Sequence, residues 1–275
     1  MVEARNILIL SDNVGTDYVS RIENGAERSA GATAYSVLAE NLHQSRRAFD
    51  EVLSERDYAG IILTAPVSDD RHILLQLEQR KIPFVRIASM LDLDRGANVL
   101  LDEYEAARAV TDYLIERGHR RIGILKGPRQ HLVSMRRFNG YANAMGGKKL
   151  KIEPELVAEG DFSRESGHDN AKRLLAAKPT AIFACNDEMA VGIMEFARDA
   201  GIQVPGQLSI VGYDDNPIAS QVRPALTSVR QPLGQMGDTA MKLMAECIQS
   251  PAKPPQNVTL QLEVVERNSV ATLFN

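Results

Sequence analysis

Cysteine and tryptophan are the scarcest residues of this sequence, which has two cysteines and no tryptophan. Cys185 and Cys247 make no disulfide framework. Cys185 follows an apolar run and is more simply a small buried residue than a reactive thiol. We therefore expect a protein of the reducing cytoplasm.

Long apolar runs are also missing. Near the N-terminus only residues 7–10 are continuously apolar, which is too short for the core of a signal peptide, and no cleavage site follows them. No segment approaches the length of a membrane span. We expect no membrane partner.

An excess of positive charge is absent as well. The formal net charge is −4, whereas a protein that neutralises phosphates needs a basic face. The chain is therefore not expected to bind nucleic acid by itself.

The common enzyme motifs are not found. The sequence has no GxGxxG, GxxxxGK[ST], HExxH or GxSxG pattern. Its five histidines are scattered without metal-ligand spacing, and nothing places two carboxylates beside a nucleophile. We predict no enzyme activity, no catalytic residues, no metal site and no cofactor.

What is present is a strand–helix–strand unit between residues 181 and 215. A buried strand, AIFA, is followed by the N-cap residue Asn186 and by apolar residues at helical spacing up to Gly201. A second buried strand, LSIV, leads to Asp214. The two strands should be parallel with a right-handed crossover, and ligands bind at the carboxyl edge of such sheets.

Strands and helices alternate in the same way along the rest of the chain. This alternation predicts a doubly wound α/β fold. A chain of 275 residues with 44% hydrophobic residues is long enough for two lobes, each with its own core.

Polar and aromatic residues follow several of the predicted strands. Carboxylates and amides bracket hydroxyl groups, arginine presents a planar fork of donors, and aromatic rings cover the apolar face of a sugar. A small polyhydroxylated ligand would suit this mixture. The residues concerned are Tyr18, Asp69, Asp102, Arg137, Phe162, Asn186 and Asp214.

Structural roles compete with ligand binding at most of these positions. Asp102 and Asn186 also stand where helix caps stand, and Arg137 fits a solvated helix position. Tyr18 and Phe162 fit packing within a lobe. Asp214 has the strongest case, since no helix pattern starts directly after it.

Three stretches resemble the LacI/GalR family of bacterial transcriptional regulators. They are FACNDEMAVGIMEFARDAGIQVPGQLSIVGYDD, LIERGHRRIGILKGP and RPALTSVRQP. The resemblance implies a periplasmic-binding-protein-like type I fold, with two doubly wound parallel-sheet lobes joined by three crossovers. It places residues 5–117 and 233–256 in the N-terminal lobe, and residues 118–231 and 257–272 in the C-terminal lobe, with a ligand cleft between them.

The same resemblance implies a function. The chain would be the effector-binding and dimerising part of a LacI-type regulator: it would bind a sugar or sugar derivative, form a homodimer and act allosterically. Residues 1–4 leave no room for a helix-turn-helix before the first strand, so operator DNA would be contacted only through a headpiece that this chain lacks. The implied ligand residues are Asn13, Tyr18, Asp69, Asp102, Arg137, Phe162, Asn186, Asp214 and Gln231.

The sequence departs from the family pattern at three places. Glu103 follows Asp102 where the family commonly has asparagine, which adds a charge. Residues 127–132 are bulkier and more basic than usual, which leaves an anionic effector open. Residues 13–15 lack a Pro-aromatic pair, which weakens the assignment of Tyr18.

Two other functions remain open. A periplasmic sugar-binding protein of a transporter has the same architecture, but should carry a secretion signal and work as a monomer. An α/β enzyme acting on a sugar would need a nucleophile or cofactor loop. The LIERGHRRIG and RPALTSVRQP segments favour the regulator.

Overall fold

The computed structural model describes residues 5–13, 16–31 and 33–273, which contain two six-stranded sheets. The strands are β1 (Arg5–Ser11), β2 (Tyr35–Asn41), β3 (Gly60–Leu63), β4 (Phe84–Ile87), β5 (Ala97–Leu101), β6 (Ile122–Lys126), β7 (Val157–Glu159), β8 (Ala181–Ala184), β9 (Ser209–Asp214), β10 (Thr227–Arg230), β11 (Asn257–Leu260) and β12 (Glu263–Val265).

Helices connect most of these strands. They are α1 (Thr16–Ala30), α2 (Leu42–Ser45), α3 (Phe49–Glu55), α4 (Arg71–Gln79), α5 (Glu103–Glu116), α6 (Leu132–Gly147), α7 (Arg164–Ala176), α8 (Asp187–Asp199), α9 (Pro217–Gln221) and α10 (Leu233–Gln249). Two short 3₁₀ turns, Val67–Asp69 and Pro154–Leu156, complete the secondary structure of the described residues.

Each sheet belongs to its own compact unit. The first unit contains the described residues up to Leu101 together with Pro232–Gln261, and the second contains Asp102–Gln231 and the described residues from Leu262 onward. The chain therefore passes three times from one unit to the other. This agrees with the three predicted crossovers.

The first sheet has the strand order β11-β5-β4-β3-β1-β2, and all of its pairings are parallel. The second has the order β12-β10-β9-β8-β6-β7, where only β12 runs antiparallel to its neighbour. The prediction of two doubly wound parallel-sheet lobes is confirmed, with β12 as the one antiparallel strand of the described residues.

Both faces of the first sheet are buried, as parallel sheets require. Alternate residues of β1 point to opposite faces: Ile7 and Ile9 pack in a core with α1 and α10, whereas Leu8 and Leu10 pack in a core with α3 and α4. In the second unit one continuous core joins α5, α6 and α8 to the sheet.

The boundaries of the units differ from those predicted at two elements. Helix α5 lies in the second unit, although the resemblance places residues up to 117 in the N-terminal lobe. It packs against α6, where Gly140 leaves room for the backbone of Tyr104. The predicted final strand, residues 258–266, is two strands: β11 pairs with β5 in the first sheet, and β12 pairs with β10 in the second.

The helix predicted over residues 45–55 begins later in the structure, as α3 at Phe49. The short helix α2 before it ends at Ser45, and the next residue, Arg46, has a left-handed backbone with φ 59°. A residue in this conformation ends a helix because it cannot continue the right-handed backbone. No helix of the described residues has both the length and the apolar character needed to cross a membrane.

Helices α1 and α10 approach so closely that glycine is required between them. A Cβ on Gly237 would clash with the backbone oxygen of Ile22. By contrast, a Cβ on Gly146, within α6, would meet no atom within 4 Å.

We therefore predict opposite effects for two glycine substitutions. Gly237→Ala should lower the free energy of unfolding by about 1–3 kcal/mol, because the helices must move apart. Gly146→Ala should raise it by up to about 1 kcal/mol, because alanine favours helix. Urea denaturation measures the free energy of unfolding of both variants. Equal values for the two would contradict the close packing of α1 against α10.

Candidate functional site

The carboxyl edge of the second sheet collects polar side chains from three neighbouring strands. β8 leads into Cys185 and Asn186, β9 ends at Asp214, and β10 leads into Gln231. Parallel strands bring these positions to one edge, which is where ligands of open α/β sheets bind.

A buried ion pair lies at this edge. Arg137, in α6, is 4% exposed, and Glu103, in the first turn of α5, is 2% exposed. Arg137 Nε donates to Glu103 Oε2 at 2.8 Å and its Nη2 donates to Oε1 at 3.3 Å. Arg137 Nη1 donates to the carbonyl oxygen of Cys185 at 2.5 Å, which fixes the guanidinium against the end of β8.

Tyr213 completes this cluster. Its hydroxyl donates to Glu103 Oε2 at 2.6 Å, and its ring lies 3.6 Å beneath the guanidinium carbon of Arg137. Burial raises the pKa of Tyr213, and the charge of Glu103 raises it further, so the phenol stays a donor. Burial by itself lowers the pKa of Arg137, but Glu103, Tyr213 and Asp214 together raise this pKa by more than burial lowers it, and the guanidinium stays charged.

Asp214 and Gln231 lie side by side at the ends of β9 and β10. Gln231 Nε2 donates to Asp214 Oδ1 at 2.6 Å. Gln231 is 2% exposed, and its Oε1 has no hydrogen-bond partner among the described residues. A buried acceptor without a partner is costly, and it becomes favourable when a ligand donates to it.

The backbone at Asp214 is strained. Asp214 and Asp215 have φ values of 102° and 51°, which are unusual for residues other than glycine. The carboxylate of Asp215 is held by Arg230 Nε at 2.7 Å and by Arg267 Nη2 at 2.5 Å. Strain of this kind persists only where the surroundings enforce it, and it is frequent at ligand sites.

Asp187 supports the same turn from inside the unit. It is fully buried, and it accepts from Ser228 Oγ at 2.6 Å and from the backbone amide of Asn216 at 2.7 Å. A Cβ on Gly212 would collide with its carboxylate, which explains the glycine there. Burial raises the pKa of Asp187 well above its usual range, and the charge of Asp214 raises it further.

Asn186 has the predicted N-cap geometry. Its side-chain oxygen accepts from the amide of Met189 at 3.0 Å, and its Nδ2 donates to the carbonyl of Phe162 at 2.8 Å. Phe162 is half-buried with φ 70°, and its ring lies edge-on to His131 at 5.5 Å. Capping and packing thus occupy both side chains, and their ligand roles stay predictions.

Asp102 is exposed and caps α5 by accepting from the amide of Glu105 at 3.0 Å. The residue beside it, Glu103, is the one that lies at the buried edge. The added charge noted in the sequence is therefore neutralised within the protein by Arg137.

Asn13 and Tyr18 lie in the first unit. The backbone of Asn13 bonds with the side chain of Asn41, at 3.3 Å through its amide and at 2.8 Å through its carbonyl. Tyr18 is half-buried and packs against the core around α1 and α10. Their predicted ligand roles remain untested.

Asp69 forms an ion pair with a fully buried arginine. Its Oδ1 accepts from Arg86 Nη2 at 2.7 Å, and its carboxylate also accepts from the amides of Met90 and Leu91 at 2.9–3.0 Å. Burial lowers the pKa of Arg86, and the charge of Asp69 opposes that effect.

Arg86 and its neighbour Asn98 shape the loop between β4 and β5. Both side chains are fully buried, and both point their N–H groups at loop carbonyls. Two leucines of the loop, Leu91 and Leu93, are consequently 39% and 37% exposed. The carbonyls that accept these bonds are those of Leu91, Asp92 and Arg95 for Arg86, and those of Leu93 and Gly96 for Asn98.

Because Asp69 pairs with Arg86, its loss should act on stability. Asp69→Ala strands a buried charge and should lower the free energy of unfolding by about 3–5 kcal/mol. The control Asp238→Ala removes only an exposed pair with Lys242 and should cost less than about 1 kcal/mol. A urea melt in which the two variants behave alike would instead favour the ligand role for Asp69.

Sequence reasoning missed three residues of the edge: Glu103, Asp187 and Tyr213. Glu103 and Asp187 stand in first helical turns, where acidic residues are usually exposed and stabilise the helix dipole. Tyr213 reads as one more residue of a buried strand. Only the packing of α5 on α6 and of β9 beside β10 brings them to the edge.

Among the described residues, this edge meets the requirements of neither a metal site nor a reactive thiol. No group of three or more His, Cys, Asp or Glu side chains in the described part of the chain is arranged to hold a metal ion. Cys185 is fully buried, and burial raises its pKa to about 12, so it remains a protonated thiol.

Comparison with known proteins agrees with the fold. The profile of the periplasmic binding protein-like domain family matches residues 111–270. The HTH-type transcriptional repressor PurR of Escherichia fergusonii is 29% identical over 273 residues, which covers 97% of this chain and 80% of the repressor.

Solved structures give the same result. A regulatory protein of the LacI family from Chloroflexus aggregans has a TM-score of 0.85 at 29% identity, with 96% of this chain and 98% of that chain covered. A LacI family regulator from Enterococcus faecium with bound ribose has a TM-score of 0.87 at 23% identity, which covers 98% of this chain and 100% of that one and supports the fold alone. The chain therefore belongs to the periplasmic binding protein-like domain family, in the form found in LacI-type transcriptional regulators.

Proposed function

We propose that this chain senses a small sugar-like effector for a LacI-type regulator, that it acts in the cytoplasm and that it catalyses no reaction. The effector binds at the carboxyl edge of the second sheet. This proposal favours the regulator over the transporter protein, because the relatives described above are regulators.

One observation carries the proposal. Gln231 Oε1 is a buried acceptor without a partner among the described residues, next to the carboxylate of Asp214. A ligand that donates hydrogen bonds satisfies this acceptor and removes the cost of leaving it unpaired.

A sugar fits the chemistry of this edge. Its hydroxyls donate to Asp214 and Gln231, and they accept from the guanidinium of Arg137, which has five N–H groups. Ring carbons of the sugar suit an aromatic side chain such as Phe162. The Enterococcus faecium regulator, which has the same fold, is solved with bound ribose.

The effector acts through a coupling free energy. Binding at the edge stabilises one state of the chain, and in the intact regulator this changes the affinity for operator DNA, typically by about 1–3 kcal/mol. DNA contact requires a basic headpiece, since the chain itself has a net charge of −4.

A thermal-shift screen of sugars, sugar acids and nucleobases tests the proposal. A ligand present at a hundred times its Kd raises the free energy of unfolding by about 2.7 kcal/mol, which is readily seen as a higher melting temperature. Ribose belongs in the panel. If no member of any class raises the melting temperature, the proposed effector class is wrong.

Asp214→Ala should weaken the binding of the ligand that this screen identifies by at least tenfold. The carboxylate accepts hydrogen bonds from ligand hydroxyls, each worth about 1.5–3 kcal/mol, and tenfold corresponds to about 1.4 kcal/mol. Asp199→Ala, at the exposed end of α8, is the control and should leave the affinity unchanged.

Calorimetric titration and a melt of the same samples separate the two possible roles of Asp214. A ligand role predicts lost affinity with a melting temperature close to that of the wild type. Unchanged affinity together with a lower melting temperature would show that Asp214 serves the fold alone.

We further propose that the chain is a homodimer, since a two-fold symmetric regulator matches a two-fold symmetric operator. Sedimentation equilibrium at micromolar concentration should give twice the chain mass of 30.3 kDa. A single species of one chain mass would contradict the dimer. It would agree instead with the alternative of a transporter's sugar-binding protein, which should work as a monomer.

A further inference from the structure

The positive charge at the candidate site is already neutralised inside the protein. Arg137 and Glu103 share two hydrogen bonds, and both side chains are at least nine-tenths buried. Tyr213 donates a third bond to the same carboxylate. Glu103 is thus held in place as a charged partner of Arg137.

Three of the five N–H groups of Arg137 are used in this way, two by Glu103 and one by the carbonyl of Cys185. A ligand therefore meets a guanidinium that can still donate, but whose charge is balanced. It also meets the carboxylate of Asp214, which is 9% exposed and lies at the same edge.

The nearby basic loop does not change this balance. Arg129 is exposed to solvent, where its charge is screened. Lys126, at the end of β6, lies 3.6 Å from Glu159 and over the ring of Phe138. The basic character of residues 127–132 is thus a property of the surface of the second unit.

We propose that Glu103 determines the charge selectivity of the effector site, so that the site accepts a neutral polyhydroxylated ligand and rejects carboxylates and phosphates. The inference rests on the proposed function, because it assumes that the effector contacts Arg137. It replaces the expectation of an anionic effector, which came from the basic loop alone.

The physical reason is the sharing of one buried cation. An anion on the remaining N–H groups of Arg137 would join the charges of Glu103 and Asp214, so that three negative charges would face one buried cation away from water, whereas in Glu103→Gln only two would do so. A hydroxyl group accepts the same hydrogen bonds without adding a charge.

The test compares ligands that differ only in charge. Wild-type protein is titrated with neutral sugars, with their uronic acids and with their phosphate esters, and separately with inorganic phosphate against sodium chloride of equal ionic strength. Glu103→Gln keeps the shape of the side chain and removes its charge. Glu105→Gln is the matched control, because Glu105 lies in the same helical turn but pairs only on the surface, with Arg108.

The wild type and Glu105→Gln should bind a neutral sugar at least tenfold more tightly than its uronic acid, and they should show no saturable stabilisation by phosphate. Glu103→Gln should gain saturable stabilisation by phosphate and at least a tenfold shift of preference toward the anions. In the double variant Glu103→Gln with Arg137→Gln this gain should disappear, which locates the captured anion on Arg137.

Two results would overturn the inference. The first is that the wild type binds a uronic acid or phosphate ester more tightly than the neutral sugar, or is saturably stabilised by phosphate. This result would contradict the proposed charge selectivity even if Glu103→Gln does not fold. The other is a folded Glu103→Gln variant that responds to phosphate as Glu105→Gln does. Failure of every sugar to bind would contradict the proposed function instead, while the phosphate titrations still decide the role of Glu103.

Discussion

The ion pair between Glu103 and Arg137 connects the parts from which the candidate site is built. Glu103 comes from α5, Arg137 from α6, and Tyr213 from β9, and the carbonyl at the end of β8 takes a fourth bond. Burying two charges costs several kcal/mol unless geometry and further hydrogen bonds compensate. Here three hydrogen bonds hold the guanidinium and Tyr213 donates a fourth to the carboxylate, which fixes the guanidinium at the edge that carries Asp214.

Sequence reasoning succeeded where the structural feature depends on a local pattern of residues. The alternation of strands and helices predicted a doubly wound α/β fold, because the periodicity of buried residues is a local property of the sequence, whereas the division into two parallel-sheet lobes came from the family resemblance. The edge positions Arg137, Asp214 and Gln231 follow from the ends of elements and from family resemblance, and the structure brings the last two to 2.6 Å.

The remaining differences depend on which elements pack together, which local patterns do not encode. Glu103 looks like a solvated first-turn residue until α6 covers it, and the exposed Asp102 takes the capping role. Asp69 looks like a free strand-end carboxylate until Arg86, seventeen residues later, appears as its buried partner. The split of the final strand into β11 and β12 likewise reflects pairing with two different sheets.

The conformation of the loop between β4 and β5 depends on residues that lie outside the loop. Its carbonyls bond to Arg86 and Asn98, which belong to the strands on either side, while its leucines point outward. The shape of this loop is therefore encoded largely outside the loop. Transplanting the loop sequence into a relative that lacks Arg86 and Asn98 would remove these contacts to five loop carbonyls, so the conformation would not transfer with the loop sequence.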